Sequence, residues 1–364
     1  MVIAAFEGFY GGSHQKWLDG FVCNSSHEVN TFTLPARSWK WRMRGGALTL
    51  ARMFNESGIK PDCLLVTDMV DLSILLSLIK TERKPPVVLY MHENQLTYPW
   101  SETDPDPALG RDHHYAFINY TSCLAADAVV FNSHYHRESF LNALPGFLNM
   151  FPDHREERNI DVIQDKSTVM HLGLELKAFD KFKVESNALP KTILWNHRWE
   201  YDKDPESFFN ALIQLSGEGF DFRLVVCGES SKRRPDIFDA AQTALASHID
   251  HWGRADSFDE YATLLMKCDI LPVTSKQDFF GISMVEATYC DVFPLLPKRL
   301  AFREHIPHGR NDLHFYTDPD DMISRLRELL GEPVDFRGRD LVSKYDWGRM
   351  INEYDRFFEN AAEG

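Results

Sequence analysis

Two acidic residues flank a glycine turn in the second half of the chain, and their spacing fits a nucleotide-sugar site. Seven residues separate Asp278 from Glu286, and Phe280-Gly281-Ile282 lies among them, after an apolar run that predicts a strand. A strand, a glycine turn and a helix N-terminus bind anions, because free N–H groups and the helix dipole favour a phosphate. The two carboxylates could hold sugar hydroxyls and ribose hydroxyls on either side of a diphosphate. The pattern indicates an enzyme that uses a nucleotide-sugar donor.

A loop in the same half supplies the cations that a diphosphate needs. Arg198 and Lys203 follow the first predicted strand of that half. Arginine offers a two-pronged donor and lysine a point charge, so together they could neutralise a diphosphate. A solvated charged loop is the alternative. Gly228, after the next strand, could let a nucleotide approach the backbone.

Polar residues after two strands of the first half are candidates for substrate contacts. Gly11 and Gly12 follow the first strand and would allow a ligand close to the backbone, although a structural turn explains them equally well. His92, Glu93 and Asn94 follow the fourth strand, where a ligand crevice opens in such sheets. We interpret them as acceptor or sugar contacts, with His92 nearest the reacting carbon. A capped strand end is the alternative.

A basic and aromatic segment in the first half is a candidate nucleic-acid contact. Cations interleaved with tryptophans suit phosphates and base stacking. The residues concerned are Arg37, Trp39, Lys40, Arg42 and Arg44. A mixed surface loop with one buried tryptophan is the alternative. The formal net charge of −15 argues against broad, non-specific binding of nucleic acid, but it allows a local basic patch.

Composition and length place the chain among globular proteins. Its 364 residues favour two domains, and hydrophobic residues make up 44% of them. No apolar run is long enough to cross a bilayer and the N-terminus resembles a strand, so we predict a cytoplasmic protein without a membrane or an obligate protein partner. The six scattered cysteines predict buried, reduced thiols, and the histidine pairs lack the spacing of a metal site.

Short apolar runs alternate with amphipathic stretches in both halves, which is typical of doubly wound α/β proteins. The predicted strands are Val2–Phe6, Val29–Leu34, Cys63–Thr67, Val87–Met91, Ala128–Asn132, Thr168–Leu172, Thr192–Asn196, Phe222–Cys227, Ile249–Trp252, Asp269–Val273, Val292–Leu296 and Leu313–Tyr316. One predicted helix begins at Arg44, and Asp346–Ala362 predicts an amphipathic C-terminal helix. We expect an interdomain linker at Glu175–Pro190, one domain of residues 1–178 with 345–364, and a second of residues 179–344.

Several segments of the chain resemble a known family. The second half is similar to the donor domain of glycosyltransferase family 4, whose paired acidic motif aligns with Asp278 and Glu286. Motifs along nearly the whole chain resemble the tRNA-queuosine α-mannosyltransferase family. These motifs are Ala5-Phe-Glu-Gly-Phe-Tyr-Gly-Gly-Ser-His14, Thr33-Leu-Pro-Ala-Arg-Ser-Trp-Lys-Trp-Arg42, His92-Glu-Asn-Gln-Leu-Thr-Tyr-Pro99, Val130-Phe-Asn-Ser133, Phe151-Pro-Asp-His-Arg155, Phe279-Phe-Gly-Ile-Ser-Met-Val-Glu-Ala287 and Pro294-Leu-Leu-Pro-Lys-Arg-Leu300.

The resemblance implies a GT-B fold, in which two Rossmann-like domains face a cleft and the C-terminal helix crosses back to the first domain. It implies a retaining enzyme that passes mannose from GDP-mannose to queuosine in tRNA, without a metal or another cofactor. The alternatives are another nucleotide sugar with a small-molecule or lipid-linked acceptor, or a non-catalytic nucleotide-sugar-binding protein. Two residues depart from the family pattern: Asp278 replaces a glutamate, and Asp291 stands where glycine is frequent.

The resemblance also assigns roles to residues. Its catalytic set is His92, Arg198, Lys203 and Asp278. Its donor-binding set is Gly11, Gly12, Arg198, Lys203, Gly228, Phe280, Gly281, Ile282 and Glu286. Its acceptor-binding set is His14, Arg37, Trp39, Lys40, Arg42, Arg44, Glu93 and Asn94. In these roles Arg198 and Lys203 stabilise the leaving diphosphate, and Glu286 holds the ribose hydroxyls.

Overall fold

Two parallel six-stranded sheets form the frame of the chain, one in each of two units. The computed structural model describes residues 1–182, 190–230, 234–307, 311–331 and 336–363. Unit 1 comprises Met1–Glu175 and the chain from Tyr345 onward, and unit 2 comprises Leu176–Lys344.

The sheet of unit 1 has the strand order β2-β1-β3-β4-β5-β6. Its strands are β1 (Val2–Tyr10), β2 (Glu28–Pro35), β3 (Cys63–Thr67), β4 (Val87–Met91), β5 (Ala128–Phe131) and β6 (Ser167–Val169). Its helices are α1 (Gly12–Asn24), α2 (Trp39–Ser57), α3 (Leu72–Leu78), α4 (His113–Ala125), α5 (His134–Leu148), α6 (Asn159–Asp165) and α14 (Trp347–Glu363). Every residue of β3 and β4 is buried, as expected for apolar strands covered on both faces.

The sheet of unit 2 has the strand order β12-β11-β10-β7-β8-β9. Its strands are β7 (Lys191–Trp195), β8 (Phe222–Cys227), β9 (Ile249–Gly253), β10 (Ile270–Pro272), β11 (Phe293–Pro297) and β12 (Phe315–Tyr316). Its helices are α7 (Pro205–Gly217), α8 (Ile237–Ala244), α9 (Phe258–Met266), α10 (Ile282–Tyr289), α11 (Asn311–His314), α12 (Pro319–Gly331) and α13 (Arg339–Val342). Every predicted strand overlaps an observed one, which confirms the doubly wound α/β prediction.

The direction of winding reverses once in each sheet. In unit 1 the reversal lies at the neighbours β1 and β3, and in unit 2 at the neighbours β7 and β10. Ligands of open α/β sheets bind beyond the carboxyl ends of the strands at such a point. A ligand site is therefore expected in the loops that follow these strands.

Helix α2 begins five residues earlier than predicted. Ser38 adopts a left-handed conformation with a φ of 53°, and the helix continues from Trp39 to Ser57. Lys40 and Arg42 therefore lie on a helix, whereas the predicted helix began only at Arg44. The residues of the first turn are consequently fixed in direction.

The predicted linker begins with a short helix. Residues Leu176–Lys181 form a 3-10 helix that belongs to unit 2, and its Leu176 and Phe179 are buried. Residues 183–189 of the predicted linker lie outside the described part of the chain.

The C-terminal helix α14 packs on α1 within unit 1. The Trp17 Nε1–H donates to the Tyr354 hydroxyl at 3.1 Å, and that hydroxyl donates to the His171 carbonyl at 2.7 Å. Trp347 lies against Gly20 and Gly173, where an added Cβ would come within 2.0 and 2.4 Å of the indole. The predicted return of this helix to the first domain is confirmed by these contacts.

Two further expectations can be compared with the described residues. No helix within the described ranges combines the length and the apolar character required to span a bilayer.

Five of the six cysteines are buried free thiols, whereas Cys23 is exposed, so the prediction of burial is wrong for that one. Cys23 lies in the last turn of α1.

Candidate functional site

A buried lysine lies at the winding reversal of unit 2. Lys203 ends a 3-10 helix, Tyr201–Lys203, in the loop after β7. Its Nζ lies 3.1 Å from an Asp278 carboxylate oxygen and 3.2 Å from an Asp202 oxygen, and it donates to the Gln277 carbonyl at 2.8 Å. Burial opposes the charged form, but the two carboxylates outweigh burial and raise the pKa of Lys203 above its usual value. Lys203 is therefore a fixed, permanent cation.

The second predicted cation belongs to the same group. Arg198 is about half exposed, lies 2.9 Å from a Glu200 carboxylate oxygen, and approaches the Asp202 oxygen that Lys203 also contacts, at 3.9 Å. The structure thus brings Arg198, Lys203 and Asp278 together. Two cations here face the carboxylates of Glu200, Asp202 and Asp278. A diphosphate would have to replace at least one of these contacts.

The turn before α10 requires glycine for the protein's own packing. Gly281 has a φ of 92° and precedes Ile282, the first residue of the helix. A Cβ at Gly281 would lie 2.8 Å from the Phe302 ring. The buried Phe280 is fixed by its carbonyl, 2.6 Å from the His305 Nε2. These contacts place the predicted Phe280-Gly281-Ile282 segment directly at the helix N-terminus.

The second acidic residue of the pair is held by a tyrosine. Glu286 is 8% exposed on α10, and its Oε2 accepts a hydrogen bond of 2.7 Å from the Tyr261 hydroxyl. The Asn196 Nδ2 donates to the same hydroxyl at 3.2 Å. Asn196 directly follows β7, and Tyr261 lies on α9. No local pattern in the sequence singled out either residue.

Gly228 has a structural reason of its own. Its φ is 132°, and an added Cβ would lie 2.0 Å from the His197 carbonyl oxygen. The neighbouring Glu229 carbonyl accepts the Trp199 N–H at 3.0 Å, so the two loops pack directly on each other. A requirement for glycine therefore exists at Gly228 without any ligand.

In unit 1, two histidines and a carboxylate meet at the ends of β1 and β4. The His14 Nδ1 lies 3.0 Å from a Glu7 carboxylate oxygen, and the His14 and His92 rings are 4.3 Å apart. All three residues are buried. The backbone N–H of His92 donates to Asp68 at 2.7 Å, which fixes the end of β4. The sequence had pointed to His14 and His92, while Glu7 and Asp68 were missed.

Charge is distributed unevenly in this cluster. Burial opposes protonation of His14, but the charge of Glu7 and its hydrogen bond outweigh burial and raise the pKa of His14 to about 9. Burial and the neighbouring His14 hold the pKa of His92 well below its usual value. Burial raises the pKa of Asp68 to about 8. At neutral pH a charged His14 thus lies beside a neutral His92.

The same three side chains bear on the expectation of no metal site. Among the described residues, Glu7, His14 and His92 form the one group of potential ligands whose atoms lie within 4.8 Å of one another. Neither the pair His113 and His114 nor the pair His134 and His136 belongs to such a group. Glu7 and His14 already share a hydrogen bond, so two of the three side chains have a partner without a metal ion.

Two other predicted residues near this cluster, Glu93 and Asn94, have hydrogen-bond partners within the turn after β4. The Asn94 Oδ1 accepts the N–H groups of Leu96 and Thr97, so it shapes the turn after β4. Glu93 is half-buried and accepts the Gln95 side-chain amide at 2.8 Å.

The glycines after β1 differ from each other in conformation. Gly11 is extended, with a φ of 175°, and an added Cβ would lie 2.5 Å from the Ala36 Cβ. Gly12 has a φ of 55° and has no neighbour within 4 Å of such a Cβ. Close packing against Ala36, which directly follows β2, thus explains Gly11, whereas the space at Gly12 is open.

The basic segment divides into paired and open side chains. Lys40 lies 2.6 Å from carboxylate oxygens of both Asp104 and Asp106. Trp39 packs against Trp100 and Tyr115. Arg37, Trp41 and Arg44 are exposed, with Trp41 62% exposed, whereas Arg42 is half-buried and its Nε donates to the Pro35 carbonyl at 3.1 Å.

Comparison with known proteins identifies both halves of the chain. Residues 2–174 match the profile described as tRNA-queuosine alpha-mannosyltransferase N-terminal, and residues 177–340 match glycosyl transferases group 1. The chain is 30% identical over 370 residues to a tRNA-queuosine alpha-mannosyltransferase from Drosophila melanogaster, covering 98% of this chain and 91% of the relative. It is 24% identical over 192 residues to a GDP-mannose:cellobiosyl-diphosphopolyprenol alpha-mannosyltransferase from Komagataeibacter xylinus, covering 49% of this chain and 48% of the relative.

Solved structures show the same architecture. Sucrose-phosphate synthase from Thermosynechococcus elongatus superposes with a TM-score of 0.75 at 14% identity, covering 99% of each chain. The catalytic domain of starch synthase IV from Arabidopsis thaliana superposes with a TM-score of 0.70 at 10% identity, covering 100% of this chain and 99% of the other. These likenesses confirm the GT-B fold, and the two matching profiles make the chain a glycosyltransferase.

The Glu7–His14 pair predicts a pH dependence of stability. Because folding raises the pKa of His14 from 6.5 to about 9, the pair stabilises fully below pH 6.5, and this contribution is lost as the pH rises through about 9. Glu7→Gln removes the pair. The loss in free energy of unfolding that this variant causes should be largest near about pH 6 and should shrink towards about pH 9.5.

Urea unfolding of both proteins across this range measures the difference. Glu82→Gln breaks an exposed pair with Lys60, so it should change stability little at any pH. A loss that is the same at every pH would contradict a charged His14.

Proposed function

We propose that this chain, which belongs to the tRNA-queuosine alpha-mannosyltransferase family, transfers mannose from GDP-mannose to the queuosine of tRNA with retention of configuration. The observation that carries the proposal is the match over 98% of the chain to a relative of that name, together with the family profile that covers residues 2–174. The name of the Komagataeibacter xylinus relative supports GDP-mannose as the donor. A tRNA acceptor would place the reaction in the cytoplasm.

On this proposal, unit 2 binds the nucleotide sugar. Arg198 and Lys203 neutralise the diphosphate and stabilise it as it leaves, which is electrostatic catalysis of departure. The backbone N–H groups at Phe280, Gly281 and Ile282 offer further donors to the phosphates. We expect no protein nucleophile, because the leaving phosphate can help to deprotonate the acceptor. We expect no metal, because the two cations neutralise the charge of the diphosphate.

Asp278 would change partners when the donor binds. Its carboxylate lies 3.1 Å from the Lys203 Nζ. A diphosphate that takes over Lys203 releases this carboxylate, which can then accept hydroxyl groups of the mannose. Sugar positioning thereby becomes conditional on an occupied diphosphate site. Asp278, which is shorter than the glutamate of the family pattern, already contacts the lysine that the diphosphate would take over.

Unit 1 would bind the acceptor. Arg37, Arg42 and Arg44 offer charges to RNA phosphates, and the exposed Trp41 offers a ring on which a base can stack. Lys40 contributes less, because two aspartates already compensate its charge. We assign the neutral His92 to a polar contact with the substrate.

A transfer assay tests the proposal as a whole. We expect mannose from GDP-mannose to be incorporated into tRNA that carries queuosine at the wobble position, and not into the same tRNA with guanine there. Mass spectrometry of the digested nucleosides would detect the product. Transfer from a UDP or ADP sugar would overturn the donor assignment, and donor hydrolysis that is insensitive to queuosine-tRNA would overturn the acceptor assignment.

Asp278→Asn should separate nucleotide binding from turnover. Removal of one negative charge beside Lys203 should leave the affinity for GDP unchanged or raise it by up to about 10-fold. The rate of transfer from GDP-mannose should fall by about 10-fold or more, because the amide is a weaker acceptor for sugar hydroxyls. Calorimetry with GDP and single-turnover transfer measure the two effects.

Asp250→Asn is the matched control, because Asp250 pairs with the exposed Arg223 on β8. It should change neither quantity. A loss of GDP affinity in the Asp278 variant would instead mean that this carboxylate holds the diphosphate loop in shape.

Combined replacement of Arg37, Arg42 and Arg44 by alanine should weaken tRNA binding. The slope of log K against log salt should fall by about 2, since each lost phosphate contact removes about 0.7 to 0.9. Arg52→Ala serves as the control, because Arg52 lies on the same helix and pairs with Glu56. Filter binding over a salt series gives both values, and an unchanged slope would exclude this segment from RNA binding.

A further inference from the structure

We infer that Tyr261 is a positioning residue that acts through Glu286 to make the donor site selective for ribonucleotides over deoxyribonucleotides. The inference rests on the proposed function in one respect: it takes Glu286 as the group that binds the ribose hydroxyls. It extends the proposal to a residue on a different helix and to the discrimination between two classes of nucleotide.

The contact between the two side chains is short and well shielded. The Tyr261 hydroxyl donates to the Glu286 Oε2 at 2.7 Å, and Glu286 is 8% exposed. A hydrogen bond to a carboxylate in such surroundings is stronger than one between neutral groups. It fixes the rotation of the carboxylate about its terminal bond, which would otherwise vary broadly.

A second hydrogen bond determines the direction of the first. The Asn196 Nδ2 donates to the Tyr261 hydroxyl at 3.2 Å and to the Ser283 carbonyl at 2.8 Å. A hydroxyl oxygen that accepts from an amide must point its own hydrogen elsewhere, and the nearby acceptor is Glu286. Asn196, Tyr261 and Glu286 thus form a relay with a single polarity.

The chemistry of the phenol agrees with this polarity. Burial and the charge of Glu286 raise the pKa of Tyr261 well above its usual value. Tyr261 therefore stays protonated and remains a donor wherever the protein is folded. Glu286 keeps its role as an acceptor for the ligand.

The relay also joins the parts of the donor site. Asn196 precedes the loop that carries Arg198, and Ser283 and Glu286 lie in the first two turns of α10. The loop after β7, helix α9 and helix α10 are thereby held in one arrangement by polar contacts. A carboxylate fixed in this way can meet neighbouring hydroxyls of a ribose without losing rotational freedom on binding.

The energetic consequence is a preference that depends on the tyrosine. A ribose hydroxyl that donates to a fixed, charged carboxylate should favour GDP over 2′-deoxy-GDP or 3′-deoxy-GDP by about 10-fold to 100-fold. When Tyr261 no longer orients Glu286, much of that preference should disappear. The affinity for each deoxy nucleotide should fall less than that for GDP, because each has one ribose hydroxyl fewer to lose from Glu286.

Calorimetric titration of the full-length protein with GDP, 2′-deoxy-GDP and 3′-deoxy-GDP tests the inference. The variants are Tyr261→Phe and, as a matched control, Tyr289→Phe. Tyr289 lies on the same helix as Glu286, is buried, and donates its hydroxyl to Asp180 at 3.1 Å. We expect the wild-type preference for GDP to remain in the control and to fall to less than about 3-fold in Tyr261→Phe.

A third variant keeps the test decisive if Tyr261→Phe does not fold. Asn196→Ser removes the amide that orients the phenol, and it should reduce the preference for GDP in the same direction. The inference is overturned if Tyr261→Phe retains the wild-type preference, or if it weakens GDP and both deoxy nucleotides equally, which is what a purely structural role predicts.

Failure of the proposed function gives different results. If the wild-type protein binds GDP and both deoxy forms equally, Glu286 does not bind the ribose hydroxyls. The inference about Tyr261 then fails together with the assignment of Glu286. If the wild type binds UDP or ADP in place of GDP, the donor assignment fails. The matching deoxy nucleotides then decide the role of Tyr261 by the same criterion.

Discussion

The reversal of winding between β7 and β10 is the constraint on which the donor-side arrangement depends. These strands are neighbours in the sheet, yet their connections lead to strands on opposite sides of it. Their following loops therefore share one crevice without obstructing each other. This topology allows Lys203 to meet Asp278, which lies 75 residues further along the chain. The same constraint in unit 1 brings His14, after β1, close to Asp68, after β3.

Local sequence patterns predicted the strands and the loops that follow them, because apolar runs and turn residues are read over a few positions. They could not predict which side chains pair across the fold. Lys40 has the pattern of an RNA-binding cation, but its aspartate partners stand 64 and 66 residues away. Tyr261 lies in an ordinary helical pattern, and only its meeting with Glu286 gives it a role. Glu7 lay just beyond the predicted strand Val2–Phe6, and only the longer observed strand, Val2–Tyr10, makes it a buried charged residue that requires a partner.

Each unit retains a buried cation beside carboxylates at the end of its sheet. Lys203 lies between Asp202 and Asp278, and His14 contacts Glu7. Buried ion pairs cost desolvation energy that their attraction barely offsets, so apolar residues would serve stability at least as well. On the proposed function, the Lys203 pair serves the donor, because a cation kept in position by a carboxylate is available to an anionic ligand without reorganisation of the loop. Asp291 shows the converse case, a departure from the family pattern with a structural reason. It adopts a φ of 62° and accepts the Gly338 N–H at 2.8 Å.

The position of α14 has a consequence for the order in which the chain can fold during synthesis. Unit 2 is contiguous, whereas unit 1 needs Trp347 and Tyr354 to cover Trp17 and to fill the space that Gly20 and Gly173 leave open. All of unit 2 has therefore been synthesised before α14 can cover α1 in unit 1. Until then the apolar surface of α1 is uncovered and open to chaperones or to aggregation. In this layout the unit whose synthesis begins first completes its packing only after the other unit has been made.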